Sequence, residues 1–229
     1  MGAEKRMARI AGSLYLVVAV LGGFAELYVR ARTVVPGDAA ATAENIRGSA
    51  TLFRFGFASD LVQATFFLFT AMALYLLLRH VNELVARAMV VIVAVSVAII
   101  CLNLLNQYMA LQVATGGAEG SDALAGLFAD MHAAGYLIAQ IFFGLWLLPL
   151  GYLVFRSGYF PKVVGILLAV GCFGYLIDTF TRFLAPGIAG SVSAIAVLPA
   201  AIGELSFVVY LLVKGVRVPQ RPALVAAAA

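Results

Sequence analysis

The sequence predicts an all-α protein that crosses a membrane as a polytopic bundle of six helices. Of its 229 residues, 64% are hydrophobic and only 11% are charged, and the mean hydropathy is +1.04, far above the range of soluble domains. The chain contains six apolar runs, each long enough to cross a hydrocarbon core. Because lipid offers no partner to an exposed backbone group, such runs must be helices. We expect a single transmembrane domain over residues 1–218 and a disordered cytoplasmic tail over residues 219–229.

The first half of the chain holds three predicted spans and a short surface helix. The first span, at about residues 10–29, is too long for the core of a signal peptide, and no clear cleavage site precedes a polar mature domain. Asp38 is suited to cap a short helix over about residues 38–47, which we expect at the outer membrane surface. The second and third spans follow at about residues 53–78 and 88–113.

The second half begins with a segment that favours a loop. Residues Thr115 to Asp130 are rich in glycine and acidic side chains and contain no Lys or Arg. We therefore expect a long outer loop there. Pro186-Gly187 should end the fifth span, because proline disrupts a continuing helix. The fourth, fifth and sixth spans are predicted at about residues 131–155, 163–184 and 192–213.

The basic residues lie at the ends of the spans, where membrane topology accounts for them better than nucleic-acid binding does. With a cytoplasmic N-terminus, ten of the 15 Lys and Arg residues fall on the cytoplasmic side. This asymmetry is the positive-inside pattern. We expect both termini in the cytoplasm, a location in the bacterial cytoplasmic (inner) membrane, the lipid bilayer as a partner and no nucleic acid. The oligomeric state is left open.

A weak internal repeat relates the odd-numbered spans. Arg9 and Glu26, Arg87 and Asn103, and Lys162 and Asp178 have nearly the same separation. At about 1.5 Å per residue, each polar side chain lies roughly 24 Å above its basic anchor. The even-numbered spans each end in a tyrosine that lies four residues before a basic residue, which an aromatic belt with a basic anchor also explains. The pattern suggests three related helical hairpins.

Seven short motifs are distributed over nearly the whole chain: Ala8-Arg-Ile-Ala-Gly, Gly23-Phe-Ala-Glu26-Leu-Tyr-Val-Arg30, Val35-Pro-Gly-Asp-Ala-Ala-Ala-Thr-Ala-Glu-Asn-Ile46, Phe53-Arg-Phe-Gly-Phe-Ala-Ser-Asp60-Leu, Gly151-Tyr-Leu-Val-Phe-Arg-Ser-Gly-Tyr-Phe-Pro161, Gly174-Tyr-Leu-Ile-Asp178 and Pro199-Ala-Ala-Ile-Gly-Glu204-Leu. Together they resemble a bacterial integral membrane family catalogued as domain of unknown function 4386. The resemblance implies a multi-pass bacterial membrane protein. It supplies no reaction.

Charged and amide side chains recur toward the outer ends of the predicted spans. Asp178 and Arg182 are one helical turn apart and can meet on one face, since residues four apart are neighbours. Ionisable groups are costly in lipid and need a structural or functional reason. We expect such groups to face one another around a carboxylate-rich pocket open to the outer face. The candidate ligand- or ion-binding residues are Glu26, Asp60, Asn103, Asn106, Asp178 and Glu204, and the candidate charge partners are Arg30, Arg54 and Arg182.

Several functions are compatible with these residues. The carboxylates and amide oxygens could bind or transport a small solute, a metal cation or a proton. An intramembrane metal-dependent hydrolase acting on lipid would need His132 with two or three carboxylates around an activated water. A non-catalytic binding or assembly protein is a third alternative. The structural alternative is that the acids only pair with arginines to hold helices together.

Glu204 differs from Glu26 and Asp178 because no basic residue lies within a helical turn of it. A deeply buried carboxyl group without a cationic neighbour is either protonated or charged against a bound cation. Pro199 cannot donate a backbone hydrogen bond, so we expect the helix to bend beside Glu204. The structural alternative is a protonated Glu204 side chain that donates a hydrogen bond to a neighbouring carbonyl group.

Overall fold

The computed structural model describes residues 2–117 and 121–217, and all regular structure within them is helical, as the composition predicts. Six helices are long and apolar enough to cross a membrane, which confirms the six predicted spans, and the short helix Ala39–Gly48 is the remaining one among the described residues. The tail predicted over residues 219–229 lies outside the described residues. The helices are α1 (Ala3–Thr33), α2 (Ala39–Gly48), α3 (Ala50–Leu78), α4 (Glu83–Gly116), α5 (Ser121–Arg156), α6 (Lys162–Leu184) and α7 (Pro186–Val213).

The six long helices form a ring in which neighbours in sequence are neighbours in space. Each long helix packs against the next, and α1 closes the ring against α7. Lys5 and Gly215 lie beside each other, so both described ends of the chain share one face of the bundle, the terminal face. Large apolar side chains such as Leu102 and Ile195 are exposed on the outside, as a bilayer requires.

The predicted loop between Thr115 and Asp130 is wrong, because the structure has helix over most of it. Helix α4 continues to Gly116, and α5 begins at Ser121. Two of the residues that favoured a loop, Asp122 and Gly126, make contacts between helices instead. Gly126 lets α5 approach Ala39 of α2, where a side chain would overlap, and Asp122 accepts a 2.5 Å hydrogen bond from Arg47.

Helix α2 begins one residue after its predicted cap. The Asp38 carboxylate accepts a 2.9 Å hydrogen bond from the backbone N–H of Ala41, as expected of an N-cap residue. Ala43 and Ile46 are fully buried, and they belong to an apolar cluster with residues of α1, α3, α4 and α5. Helix α2 is therefore packed onto the bundle.

The predicted start of the sixth span, near residue 192, is also wrong. Pro186-Gly187 does end α6 at Leu184, but α7 begins at Pro186 itself. Proline is well suited to the first turn of a helix, where its missing N–H has no intrahelical partner to lose. The same residue therefore ends one helix and begins the next.

Three of the spanning helices depart from regular α-geometry. The segment Phe24–Arg30 of α1 is π-helical, a wider turn that recurs at functional sites. Helix α5 is interrupted at Trp146 and α7 at Val197, shortly before Pro149 and Pro199 respectively. A proline lacks the donor that would continue the helical ladder, so each break is explained by its proline. The break in α7 lies one to two turns before Glu204.

Candidate functional site

The polar side chains predicted to line one pocket fall into four separate hydrogen-bonded groups. Each group joins at least two of the spanning helices, but the four do not share one cavity. We name each group by its central residue. The groups are centred on Arg30, Asn103, Asp178 and Glu204.

The Arg30 group is an ion-pair triad whose Arg30–Asp60 pair is buried, whereas the Glu26 side chain is 45% exposed. The Arg30 guanidinium donates 2.7 Å and 2.6 Å hydrogen bonds to Glu26 and Asp60, respectively. The Arg30 side chain is 11% exposed and that of Asp60 only 5%, so the cross-helix pair is well shielded. The predicted Glu26–Arg30 pair is present. Arg54, the alternative partner, is exposed and takes part in no ion pair within residues 2–117 and 121–217.

The Asn103 group attaches α4 to α5 through amide hydrogen bonds. The Asn103 side chain donates a 2.8 Å bond to the backbone carbonyl of His132, and Asn106 donates a 3.1 Å bond to Asn103. The His132 Nδ1 atom lies 3.3 Å from the Asn103 Nδ2 atom. Gly135 has no side chain, and the Asn103 side chain occupies the space that a Cβ atom at that position would fill.

In the described part of the chain no cluster of three His, Cys, Asp or Glu residues could hold a metal ion. The ligand set of the predicted hydrolase is therefore not assembled there.

The Asp178 group joins α5, α6 and α7 around one carboxylate. Asp178 accepts hydrogen bonds from Gln140 at 2.6 Å, from Arg182 at 3.0 Å and from the Ser193 hydroxyl. Asp178 is 3% exposed, whereas the Arg182 side chain is 42% exposed. The predicted Asp178–Arg182 pair is present, and the other two donors were not foreseen. With three donors on two oxygens, this carboxylate is fully satisfied by the protein.

The Glu204 group differs because its partners are tyrosines. Tyr15 of α1 donates to one carboxylate oxygen, and Tyr175 of α6 donates to the other at 3.0 Å. Helices α6 and α7 pack closely beside this bond, since a Cβ atom at Gly171 would overlap the backbone of Ala200. Both oxygens of Glu204 thus accept hydrogen bonds from neutral hydroxyl groups.

Glu204 borders a cavity of about 240 Å³ inside the ring, the Glu204 cavity. The lining comes from α1, α3, α5, α6 and α7, and Glu204 is the one lining residue with a formal charge at neutral pH among those described. The Gln63 amide adds a further polar group. Six aromatic side chains form much of the wall: Tyr15, Phe67, Tyr136, Phe143, Trp146 and Tyr175.

A second cavity of about 330 Å³ lies farther from the terminal face, between α1, α3, α4 and α5. Glu26, Arg30, Gln107 and His132 supply its polar lining, and the rest is apolar. We call it the His132 cavity. The Arg30 guanidinium lies 5.6 Å from the ring centre of Tyr136, which belongs to the Glu204 cavity. Arg30 and Tyr136 therefore stand between the two cavities.

Comparison with known proteins places the chain in a family. The family model described as "Domain of unknown function (DUF4386)" matches residues 10–215. The chain belongs to this family. A DUF4386 assignment agrees with the six apolar helices and identifies a multi-pass membrane protein.

One curated relative comes from Archaeoglobus fulgidus and is described as an "uncharacterized protein". It is 38% identical to this DUF4386 chain over 78 residues, which are 34% of the chain and 44% of the relative. The chain thus spans less than half the length of that relative. No solved structure matches the chain.

Sequence reasoning on this DUF4386 protein missed the tyrosines of the site. Tyr15 and Tyr175 lie inside apolar runs, and no charged residue within one helical turn of Tyr15 points to a partner for its hydroxyl group. A signal was available, because a buried tyrosine hydroxyl usually has a hydrogen-bond partner. Gln140 gave a similar signal within α5. Which acid Tyr15, Tyr175 or Gln140 contacts depends on how its helix is rotated about its own axis. The sequence of a helix that is apolar on all sides does not reveal that rotation.

Proposed function

We propose that this protein binds a small cation in the Glu204 cavity. The observation that carries the proposal is that both oxygens of Glu204 accept hydrogen bonds from tyrosine hydroxyls. A protonated carboxyl group would use one oxygen as a donor, whereas an ionised carboxylate only accepts. Two tyrosine hydroxyls that donate to its two oxygens can satisfy an ionised Glu204, which is the state that we propose.

An ionised Glu204 needs a positive partner that the cavity wall does not supply. No Lys, Arg or His belongs to the described residues that line the cavity. A buried charge is costly unless it is paired or binds an ion. The empty space beside the carboxylate is where a cation would balance it.

The aromatic wall favours an organic cation over a metal ion. Six aromatic rings surround the cavity, and cations are attracted to the faces of such rings. Quaternary ammonium ligands are bound in aromatic cages of this kind. The volume of about 240 Å³ lies below the range of about 300–1,000 Å³ that drug-sized ligands occupy, so the cation is small.

The position of the cavity suggests transport across the membrane. Five helices of the ring line it, and two of them, α5 and α7, are broken at Trp146 and Val197. Broken helices around a site near the middle of the bilayer are characteristic of transporters. The positive-inside pattern supports a cytoplasmic terminal face in a bacterial inner membrane, so the His132 cavity would face outward.

Isothermal titration of the protein in lipid nanodiscs tests the proposal. We expect tetramethylammonium chloride to give saturable heat with the parent protein at constant ionic strength. Glu204→Gln should weaken this binding by at least about tenfold, since it removes the only acidic side chain among the described residues of the cavity wall. The control Glu26→Gln removes an acid from the Arg30 group and should bind like the parent. Equal affinity of the parent and Glu204→Gln would rule out the proposed site.

A further inference from the structure

The His132 cavity contains polar atoms that the cation proposal does not use. Gln107 is 2% exposed and His132 is 6% exposed. The side-chain nitrogen and oxygen of Gln107 and the Nε2 atom of His132 have no hydrogen-bond partner among the described residues. Both residues line the cavity. Buried polar atoms are nearly always paired, so three unpaired atoms at one cavity point to an occupant that pairs them.

The three unpaired atoms define the hydrogen bonds that an occupant must make. Gln107 offers one acceptor oxygen and an NH₂ donor. The His132 Nδ1 atom lies 3.3 Å from the Asn103 Nδ2 atom and 3.4 Å from the Asn103 backbone oxygen. When Nδ1 accepts from Nδ2, Nε2 carries the ring proton and is a second donor; when Nδ1 donates to the backbone oxygen, Nε2 is an acceptor, which a hydroxyl group can also pair with. A hydroxyl group matches this set, because it has one proton to donate and two lone pairs to accept with.

The charges around the cavity favour an uncharged head group. Arg30 also lines the cavity, but Glu26 and Asp60 already bind its guanidinium. The triad carries two negative charges and one positive charge, so it does not attract an anion. An anionic head group would also lose its hydration without gaining a free counter-charge, whereas a hydroxyl head group carries no charge to balance.

The remaining wall of the cavity favours a hydrocarbon chain. Val34, Phe53, Ala110 and Ala129 form an apolar lining. Leu27, also part of that lining, is 79% exposed on the outer surface of the helix bundle. A hydrocarbon chain can therefore continue from the cavity into the lipid.

We propose that the His132 cavity binds an uncharged single-chain amphiphile with a hydroxyl head group, such as a membrane-soluble primary alcohol. The hydroxyl donates to the Gln107 side-chain oxygen and accepts from Gln107 and His132. The hydrocarbon chain lies along the apolar wall and leaves past Leu27. This site is separate from the Glu204 cavity and does not depend on cation binding there.

Binding of tritiated 1-decanol to the protein in nanodiscs tests this proposal, with empty nanodiscs as the background. We expect a saturable component with the parent protein. Unlabelled 1-decanol should displace it, whereas decane and decanoate at the same membrane mole fraction should not. Absence of a saturable component would overturn the proposal and leave water as the partner of the three atoms. Equal displacement by decane would overturn it too, because the hydroxyl would then contribute nothing.

Two matched variants on α4 locate the site. Gln107→Leu removes the buried amide and should weaken decanol binding by at least about tenfold. Gln112→Leu makes the same change at an exposed position five residues further along the helix and should bind like the parent. Parent-like binding by Gln107→Leu would place decanol elsewhere and contradict the proposal. Because the competition between decanol, decane and decanoate uses the parent protein, it decides the question even if Gln107→Leu fails to fold.

Discussion

Asp178 and Glu204 are both acids within membrane-spanning helices, yet their surroundings differ. Asp178 receives hydrogen bonds from three side chains, one of them the positively charged Arg182. Glu204 receives hydrogen bonds only from Tyr15 and Tyr175, and it borders a cavity of about 240 Å³. An acid in a membrane helix is therefore not by itself a sign of function. The two acids differ in their charge partner and in the space beside them, and the proposed function rests on that difference.

Removing Arg30 would create a buried carboxylate without a charge partner, and it should have the largest effect on stability. Asp60 has a 5% exposed side chain and receives its hydrogen bond from Arg30. We expect Arg30→Gln to lower the free energy of unfolding by about 3–5 kcal/mol, the usual cost of breaking a buried ion pair. Equilibrium unfolding in detergent, followed by circular dichroism, measures the change.

The second substitution Asp60→Asn provides the control for Arg30→Gln. Removing both members of a buried pair is often nearly neutral, so Arg30→Gln with Asp60→Asn should recover most of the lost stability. If the double variant is as unstable as Arg30→Gln alone, the cost of losing Arg30 comes from packing rather than from the unpaired carboxylate.

Matched leucine substitutions test the comparison between Asp178 and Glu204 directly, with a smaller expected effect. Asp178→Leu leaves Gln140 and Ser193 without a buried acceptor, which should cost about 3 kcal/mol of unfolding free energy. Glu204→Leu leaves two tyrosine hydroxyls beside a cavity that water can enter, so its cost should be about 1 kcal/mol. The same unfolding assay measures both, in a buffer without organic cations. Equal losses would mean that Glu204 is as structural as Asp178.

The features that the sequence predicted correctly are those that depend on the spacing of residues along one helix. Apolar run length located six spans, and the separation of four residues gave the pairs of Glu26 with Arg30 and Asp178 with Arg182. The absence of a nearby basic residue also distinguished Glu204. Local spacing does not determine which helix faces meet, so the choice of Arg30 rather than Arg54 as the partner of Asp60 was not predictable.

Composition misled the prediction where polar residues make contacts between helices. The acidic residues and glycines between Thr115 and Asp130 favoured a loop, but Asp122 and Gly126 pack α5 against α2. The single pocket predicted from depth along the helices likewise separated into four groups. Depth follows from counting residues, whereas the direction of each side chain depends on how the ring of helices packs.

Anomalous X-ray diffraction from crystals soaked in tetramethylarsonium tests the central claim most directly. This ion has the shape and charge of tetramethylammonium, and its arsenic atom can be located without reference to the protein phases. The account predicts an anomalous peak inside the Glu204 cavity of the parent protein, beside the carboxylate, and no peak there in Glu204→Gln. An empty cavity in the parent, or an equal peak in both proteins, would contradict it.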